Sequence, residues 1–299
     1  MDGFIVINKP QNMTSYDIIR NLKKILPKKI KIGHLGTLDP MATGVLPIAI
    51  GQATKIIPYI EDKSKEYIAT ITLGGTSDTE DAWGEITYKD YPEVNEDQVR
   101  SVIESMVGEI EQVPPMYSAV HHEGQKLYEL ARKGIVVERK ARVREVTHIK
   151  ILNIDLTGKH PMAQFRVACS KGTYIRTLSK DIGEKLGTGG YLSGLIRTKS
   201  DGFNLSHSHN LADILNKSDI IADLLIAIDK PLMNWPFYEV KEENEYFSII
   251  NGNIIHTNSD LPEGNIRIYD KNATFIAIAE AYQNGSKIAL KPIRVFKTV

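Results

Sequence analysis

A single carboxylate in a glycine-rich stretch is the feature of this chain best suited to chemistry. Residues 33–44 read GHLGTLDPMATG, so Asp39 lies between Gly36 and Gly44 and directly before Pro40. Glycine lets the backbone turn sharply or approach a ligand closely. Proline restricts its own φ and pushes the preceding residue towards an extended conformation. The pattern predicts a rigid loop that presents Asp39, although an Asp-Pro pair taken alone is more commonly a structural turn.

Other chemistries find little support in the residue types. Cys169 is the only cysteine, which excludes an intramolecular disulfide and is typical of a protein from a reducing cytosol. It has no evident catalytic partner, so we predict a buried structural thiol. His121 and His122 form a lone adjacent pair without a second pair at ligand spacing, and we expect no metal site. No Walker lysine follows Gly44 and no GxGxxG motif occurs, which argues against a phosphate-binding loop.

Three further segments, taken with the aspartate loop, resemble a known family. In chain order the four are residues 3–10 (GFIVINKP), 33–44, 65–67 (KEY) and 170–178 (SKGTYIRTL). Their types and order resemble the TruB family of tRNA pseudouridine synthases. The resemblance covers residues 3–200 and, more weakly, the remaining tail. It implies an isomerase of the pseudouridine synthase fold that acts on tRNA.

The resemblance implies catalytic roles for three residues. Asp39 matches the catalytic aspartate of the family, and Tyr67 matches the tyrosine that stacks on the flipped uracil and assists deprotonation at C5. Arg176 matches the arginine that pairs with the aspartate, and a bidentate fork would fix the carboxylate. Without the family context, Tyr67 is an ordinary strand aromatic and Arg176 a surface or phosphate-binding arginine. Tyr174 and Arg176 share one side only if this segment is extended.

Four more residues are implied to bind the substrate. His34 matches the residue that fills the space vacated by the flipped base, and Tyr174 matches a residue of the same pocket. Leu195 matches an apolar pocket residue, a position that is equally compatible with plain core. Lys9 matches a lysine near the site, although Asn8 stands where the family usually has aspartate.

The pattern of apolar residues predicts the elements that must position these side chains. We expect strands at residues 4–7, 45–50, 67–73, 143–156 and 163–169. Helices are expected from Thr14 or Ser15 to about residue 26, and at residues 95–107, 125–133 and 180–186. The elements do not alternate regularly. The prediction is therefore an α+β fold with a large mixed, mainly antiparallel sheet and flanking helices.

The last quarter of the chain has a different character. Residues 231–236 contain two prolines and a tryptophan and look like a linker, and short strands follow at residues 265–268, 274–281 and 288–295. We predict a catalytic domain at residues 1–230 and a small β-rich domain at residues 236–299. Its position and length are similar to those of the PUA-like RNA-binding domain of the family.

Charge is balanced overall but clustered locally. The chain has 299 residues and a net charge of +0, which argues against indiscriminate coating of nucleic acid. Two basic clusters suit a polyanion that contacts one face. They comprise Arg20, Lys23, Lys24, Lys28, Lys29 and Lys31, and Arg132, Lys133, Arg139, Lys140, Arg142 and Arg144. No apolar run is long enough to span a bilayer, and no signal peptide is recognised. We expect a cytoplasmic monomer.

The expected function is conversion of uridine 55 in the T loop of tRNAs to pseudouridine, by base flipping and an aspartate-dependent rearrangement. The reaction needs no redox change, so we expect no cofactor and no metal, with the T-stem and loop of tRNA as the partner. No obligate protein partner is expected. One alternative is an RNA-binding or RNA-folding protein of the same fold without catalysis, and another is a guide-dependent, dyskerin-like synthase.

Overall fold

The computed structural model describes residues 1–88 and 90–296. Its regular elements are β1 (Gly3–Lys9), α1 (Ser15–Ile25), β2 (Ile32–His34), β3 (Thr43–Ile50), β4 (Lys65–Leu73), β5 (Gly75–Ser77), β6 (Ile86–Tyr88), α2 (Glu96–Glu104), β7 (Gly108–Gln112), β8 (His121–His122), β9 (Gln125–Lys126), α3 (Leu127–Ala131), β10 (Arg142–Asp155), β11 (Met162–Cys169), α4 (Ile175–Lys185), β12 (Gly190–Ser200), β13 (Phe203–Asn204), β14 (Ser208–Asn210), α5 (Leu211–Asn216), β15 (Phe237–Glu239), α6 (Glu243–Ile250), β16 (Ile255–Thr257), β17 (Gly264–Tyr269), β18 (Phe275–Asn284) and β19 (Lys287–Val295). Short 3-10 turns occupy Gly51–Lys55, Ile57–Tyr59, Leu205–His207, Ser218–Ala222 and Lys230–Leu232.

A ten-stranded sheet forms the larger part of the molecule. Its main path runs β14-β1-β3-β12-β4-β11-β10-β7, with β2 paired to β3 and β13 paired to β12. The β1–β14 and β3–β12 pairs are parallel, and the other pairs along this path are antiparallel. Helices α2 and α4 pack on the half that contains β4 and β10–β12, and α1 and α5 pack on β1 and β3. The predicted mixed, mainly antiparallel sheet with flanking helices is confirmed.

The first helix follows directly from its sequence. Thr14 is the N-cap: its hydroxyl accepts a hydrogen bond from the backbone N–H of Asp17, and the Asp17 carboxylate accepts one from the Thr14 N–H. This reciprocal capping box satisfies two backbone donors at the start of the helix. Ile18 and Leu22 recur at helical spacing and are fully buried.

Three helices differ from their predicted bounds. The helix expected at 125–133 is shortened to α3, because residues 125–126 pair with β8 across a turn in which Glu123 and Gly124 have positive φ. The helix expected at 95–107 ends at Glu104, and β7 begins soon afterwards at Gly108. The helix expected at 180–186 begins much earlier, at Ile175. This last difference changes the geometry around Arg176.

The C-terminal residues form a five-stranded sheet in the order β15-β17-β18-β19-β16, which confirms the predicted β-rich unit. Its Phe275 and Phe296 share one buried cluster with Phe4 and Val45 of the larger sheet, and Leu232 and Trp235 belong to the same cluster. The segment expected to be a linker is therefore packed into a common core. The domain bounds 1–230 and 236–299 stay a prediction, and residues 297–299 lie outside the described residues.

No helix formed by residues 1–88 and 90–296 combines the length and the apolar character needed to cross a membrane.

Candidate active site

The aspartate loop joins β2 to β3 and is fixed at several points. Ser15, at the start of α1, bonds both peptide groups of Leu38: its hydroxyl accepts from the Leu38 N–H at 2.8 Å and lies 3.2 Å from the Leu38 carbonyl. The Asp39 carbonyl accepts a hydrogen bond from the Ala42 N–H at 3.1 Å. The Asp39 side chain is 34% exposed. The loop is thus held on its buried side while a ligand can reach the carboxylate.

Arg176 binds Asp39. Its Nε lies 2.8 Å from Asp39 Oδ2 and 3.7 Å from Asp81 Oδ2. Nη1 donates to the carbonyl of Thr79 at 3.1 Å, and Nη2 donates to the carbonyl of Tyr117 at 2.9 Å. The expectation that Arg176 binds both oxygens of Asp39 in a bidentate fork is wrong, since its other two nitrogens bind carbonyl groups. One nitrogen holds one carboxylate oxygen, Oδ2, and Arg176 is not found in contact with Oδ1 of Asp39.

Arg176 reaches Asp39 from a helix rather than from a strand. Tyr174 is the N-cap of α4, so Arg176 lies in the first helical turn and the extended geometry considered for this segment is wrong. The buried side chain of Gln112 fixes the cap: its Oε1 accepts from the Tyr174 N–H at 2.9 Å, and its Nε2 donates to the Tyr174 carbonyl at 3.1 Å. The side chain of Tyr174 is half-buried.

Tyr67 lies on β4 behind the aspartate loop. It is buried in the same apolar cluster as Leu38, Met41 and Leu195. Burial raises the pKa of the Tyr67 hydroxyl to about 12. The charge of Arg197 and its hydrogen bonding oppose this rise in pKa, whereas the charge of Asp39 adds to it. Because Leu38 directly precedes Asp39 and lies in this cluster, Tyr67 packs next to the aspartate loop.

Lys9 supports the far side of the loop. The side chain is fully buried at the end of β1, and Nζ donates to the carbonyls of Pro10 at 2.8 Å, Met13 at 2.7 Å and Pro40 at 3.4 Å. Burial lowers the pKa of the Lys9 ammonium to about 8, and the charge of Asp39 partly opposes this. Lys9 thus fixes the residue that directly follows Asp39.

His34 ends β2, close to the start of the loop. Its Nδ1 is buried without a hydrogen-bond partner within the described structure. Burial and the nearby charge of Arg197 lower the pKa of the His34 imidazole, which favours the neutral ring.

Of the seven predicted site residues, Asp39 and Arg176 are joined by a direct bond, and Lys9, Tyr67 and Leu195 surround their loop. The roles assigned to all seven stay predictions.

Four supporting residues were missed by sequence reasoning: Ser15, Asp81, Gln112 and Arg197. Arg197 had the clearest signal, because it stands two residues after Leu195 in a strand, and alternating residues of a strand share a face. The signals for Ser15, Asp81 and Gln112 were absent, since their contacts are with residues 23 to 95 positions away.

No group of three potential metal-ligating side chains occurs within residues 1–88 and 90–296. Cys169 is buried as predicted, and burial raises the pKa of its thiol to about 11.

Comparison with known proteins finds matches along nearly all of the chain. Three family profiles match: the N-terminal domain of TruB family pseudouridylate synthase at residues 23–175, the C-terminal domain of tRNA pseudouridylate synthase B at residues 176–232, and the C-terminal region of pseudouridine synthase II TruB at residues 242–296.

Among curated relatives, tRNA pseudouridine synthase B of Syntrophomonas wolfei is 50% identical over 297 residues, which cover 99% of each chain. The protein of the same name from Clostridium tetani is 43% identical over 295 residues, covering 96% of this chain and 98% of its own. A solved chain of a Cbf5-Nop10-Gar1 complex is 26% identical with a TM-score of 0.70, covering 99% of this chain and 85% of its own.

Proposed function

Because the chain belongs to the TruB family of pseudouridylate synthases, we propose that it isomerises a uridine of tRNA to pseudouridine, at position 55 in the T loop. The observation that carries this proposal is the Asp39–Arg176 pair, at 2.8 Å, within a chain that is similar from end to end to tRNA pseudouridine synthase B. The pair presents a half-exposed carboxylate beside a buried tyrosine. A pure binding protein needs neither arrangement.

The reaction sets three chemical demands. The bond from ribose C1′ to N1 of uracil breaks, the uracil turns, and C1′ joins C5. The proton on C5 then leaves and N1 gains a proton, so that no atom is lost and no electron is transferred to a cofactor. The site must supply a carboxylate at the sugar, a surface that retains the detached uracil, and an acceptor for the C5 proton.

We assign the first demand to Asp39. Arg176 occupies Oδ2, so Oδ1 is the oxygen that faces the substrate, either attacking C1′ or removing the proton from C2′. The substrate nucleotide lies inside folded RNA and must be extruded to reach this oxygen. Arg176 acts as a positioning residue that holds the carboxylate against rotation.

We assign the other demands to the residues around the loop. Tyr67 covers the flipped uracil and accepts the C5 proton, while Leu195 and Tyr174 line the uracil pocket. His34 occupies the space left by the extruded base, and its neutral ring suits a position between bases. Lys9 holds the backbone beside Asp39.

We propose that the chain acts as a cytoplasmic monomer without cofactor, metal or partner protein, and that the five-stranded C-terminal sheet contributes to RNA binding as a PUA-like domain. The partner proteins Nop10 and Gar1 belong to the complex that contains the similar solved chain.

The deciding experiment uses the purified chain and an unmodified tRNA transcript, with pseudouridine mapped along the RNA. We expect modification at position 55 alone, with no product from a transcript that carries cytidine there. Asp39→Asn keeps the size of the side chain and removes its charge, so product formation should disappear while tRNA binding survives. Tight binding without product from the unsubstituted chain would instead favour an RNA-binding protein of the same fold. Substantial turnover by Asp39→Asn would contradict the role of Asp39.

A further inference from the structure

Arg197 is buried where its strand neighbour is exposed. The side chain of Arg197 is 1% exposed on β12, whereas Ile196, the apolar residue directly before it, is 39% exposed. This is the reverse of the usual pattern, since burying a guanidinium group is costly unless the group is fully bonded. The structure around Arg197 must therefore provide hydrogen-bond acceptors for its guanidinium group.

The guanidinium group of Arg197 binds both ends of the aspartate loop. Nη2 donates to the carbonyl of Gly36 at 3.1 Å and Nη1 to the carbonyl of Thr37 at 3.2 Å, two and three residues before Asp39. Nε donates to the carbonyl of Val45 at 2.7 Å, on the strand that follows the loop. Three bonds from one rigid planar group therefore set the distance between the two flanks of the loop.

Arg197 also faces Tyr67. Their Cα atoms are register partners on the adjacent strands β12 and β4. An arginine N–H can only donate, so in any hydrogen bond between these two side chains the Tyr67 oxygen is the acceptor. No ion pair between Arg197 and a carboxylate is found within residues 1–88 and 90–296. The positive charge of Arg197 is thus not neutralised by a direct carboxylate contact, and it lies on the strand next to Tyr67.

We propose that Arg197 is a positioning residue that couples Asp39 to Tyr67: it holds the loop that carries the carboxylate and places a fixed positive charge at the tyrosine oxygen. The assignment rests on the proposed function for its catalytic consequence. For Tyr67 to accept the C5 proton, its phenolic proton must first pass to a solvent water molecule, which leaves the phenolate. The phenolate then takes the proton, the C–H electron pair returns to the uracil ring, and the neutral phenol is restored. Arg197 stabilises that phenolate, and its effect on the pKa of Tyr67 has the required sign, since it opposes the rise caused by burial.

The proposed effect of the Arg197 charge on the ionisation of Tyr67 can be tested without RNA. In the full chain, 3,5-difluorotyrosine is placed at position 67 and its ionisation is followed by fluorine NMR. Arg197→Met should raise the titration midpoint by about one pH unit, and Arg197→Lys should raise it less because a charge remains. The matched control is Arg166→Met. Arg166 lies on the other strand beside β4, pairs with Glu66 at 2.8 Å and is half-exposed, so its loss should leave the midpoint unchanged. An unchanged midpoint in Arg197→Met would overturn the proposal.

The proposed role of Arg197 in holding the aspartate loop is tested by single-turnover kinetics on tRNA. Both Arg197 variants should slow product formation by about 100-fold with little change in tRNA affinity, because lysine cannot span the three carbonyl groups. A shifted midpoint with an unchanged rate would refute the coupling. If the unsubstituted chain itself makes no pseudouridine, the proposed function fails, while the midpoint still decides the Arg197–Tyr67 interaction.

A third measurement avoids changing Arg197, in case its variants do not fold. Tyr67→Phe removes only the hydroxyl and should shift the side-chain nitrogen resonances of Arg197. The resonances of Arg166 serve as the reference. Unmoved Arg197 resonances in a folded Tyr67→Phe protein would contradict the interaction.

Discussion

At the scale of the residue, Arg176 shows how one side chain orders several chain segments. Its three nitrogens bind a carboxylate on the β2–β3 loop, the carbonyl of Thr79 and the carbonyl of Tyr117. These partners come from parts of the chain that are far apart in sequence. Arginine suits this position because its donors diverge in a fixed plane, whereas a lysine ammonium is a flexible point charge.

Replacement of Arg176 by lysine tests this arrangement. Arg176→Lys keeps the charge but leaves at least one buried carbonyl without a donor. We expect the turnover rate to fall by about 100-fold and the free energy of unfolding to fall by about 1–3 kcal/mol. The measurements are single-turnover kinetics and urea unfolding, with Arg166→Lys as the control on a half-exposed arginine. Equal turnover in Arg176→Lys and the unsubstituted chain would refute the positioning role.

Lys9 predicts a specific dependence of stability on pH. Its pKa is about 8 in the folded chain and 10.5 in the reference state, so between these values the unfolded chain binds more protons. The free energy of unfolding attributable to Lys9 therefore rises as the pH increases from about 8 to 10.5. Lys9→Met abolishes this titration. The difference in unfolding free energy between the unsubstituted chain and Lys9→Met should grow by about 2 kcal/mol from pH 7 to pH 10.

Urea unfolding at the two pH values measures this difference. Lys23→Met, at an exposed position of α1, is the control and should show no such growth. A constant difference for Lys9→Met across the range would mean that the pKa of Lys9 is not lowered in the folded chain.

At the scale of the element, the parallel contact between β3 and β12 brings the aspartate loop beside Arg197. Gly44 and Arg197 are register partners at this contact. A Cβ atom on Gly44 would lie 2.2 Å from the carbonyl oxygen of Arg197, and the φ of Gly44 is +103°. Both the close approach and the backbone conformation require glycine here.

Gly44→Ala should therefore separate or distort the two strands. We expect a loss of more than about 3 kcal/mol of unfolding free energy, together with a loss of turnover. Gly108→Ala is the matched control, because Gly108 has a similar φ of +113° but nothing within 4 Å of its added Cβ. In Gly108→Ala the free energy of unfolding should fall by only about 1 kcal/mol, because of backbone strain alone. Similar losses for the two variants would show that strand contact is not the cause.

At the scale of the whole molecule, the two sheets share a core. The ring of Phe296 lies 4.9 Å from that of Phe275, and the Nζ of Lys55 lies 5.6 Å from the centre of the Phe296 ring. Lys55 belongs to the turn after β3, so this contact joins the C-terminal residues to the part of the chain that carries the site. We infer that the two parts unfold together.

Truncation of Phe296 tests this inference. Phe296→Ala removes a ring that is 2% exposed, and we expect a loss of about 3–5 kcal/mol with a lower Tm in a single calorimetric transition. Phe247→Ala, on the exposed side of α6, should change the Tm little. Two transitions, of which only one is shifted, would show that the C-terminal sheet unfolds independently.

Local features of the sequence determined the elements and the identity of the reactive group. The capping residue of α1, the apolar strands and the aspartate between two glycines are local patterns, because caps, strand alternation and turn preferences act over a few residues. The α+β class and the family follow from these patterns and from the four motifs in order. The early start of α4 was not predictable, since Gln112 fixes its cap from 62 positions away.

Only the tertiary structure decided how the site is assembled. The pairing of Asp39 with Arg176, the loop bonds of Arg197 and the packing of residues 231–236 into a shared core all join segments that are distant in sequence. Such contacts depend on strand order and register, which a local pattern does not encode. The burial of Arg197 next to the exposed Ile196 is the clearest case. Burying a guanidinium group costs desolvation free energy, and here the hydrogen bonds to three carbonyl groups that the folded chain places around it offset this cost.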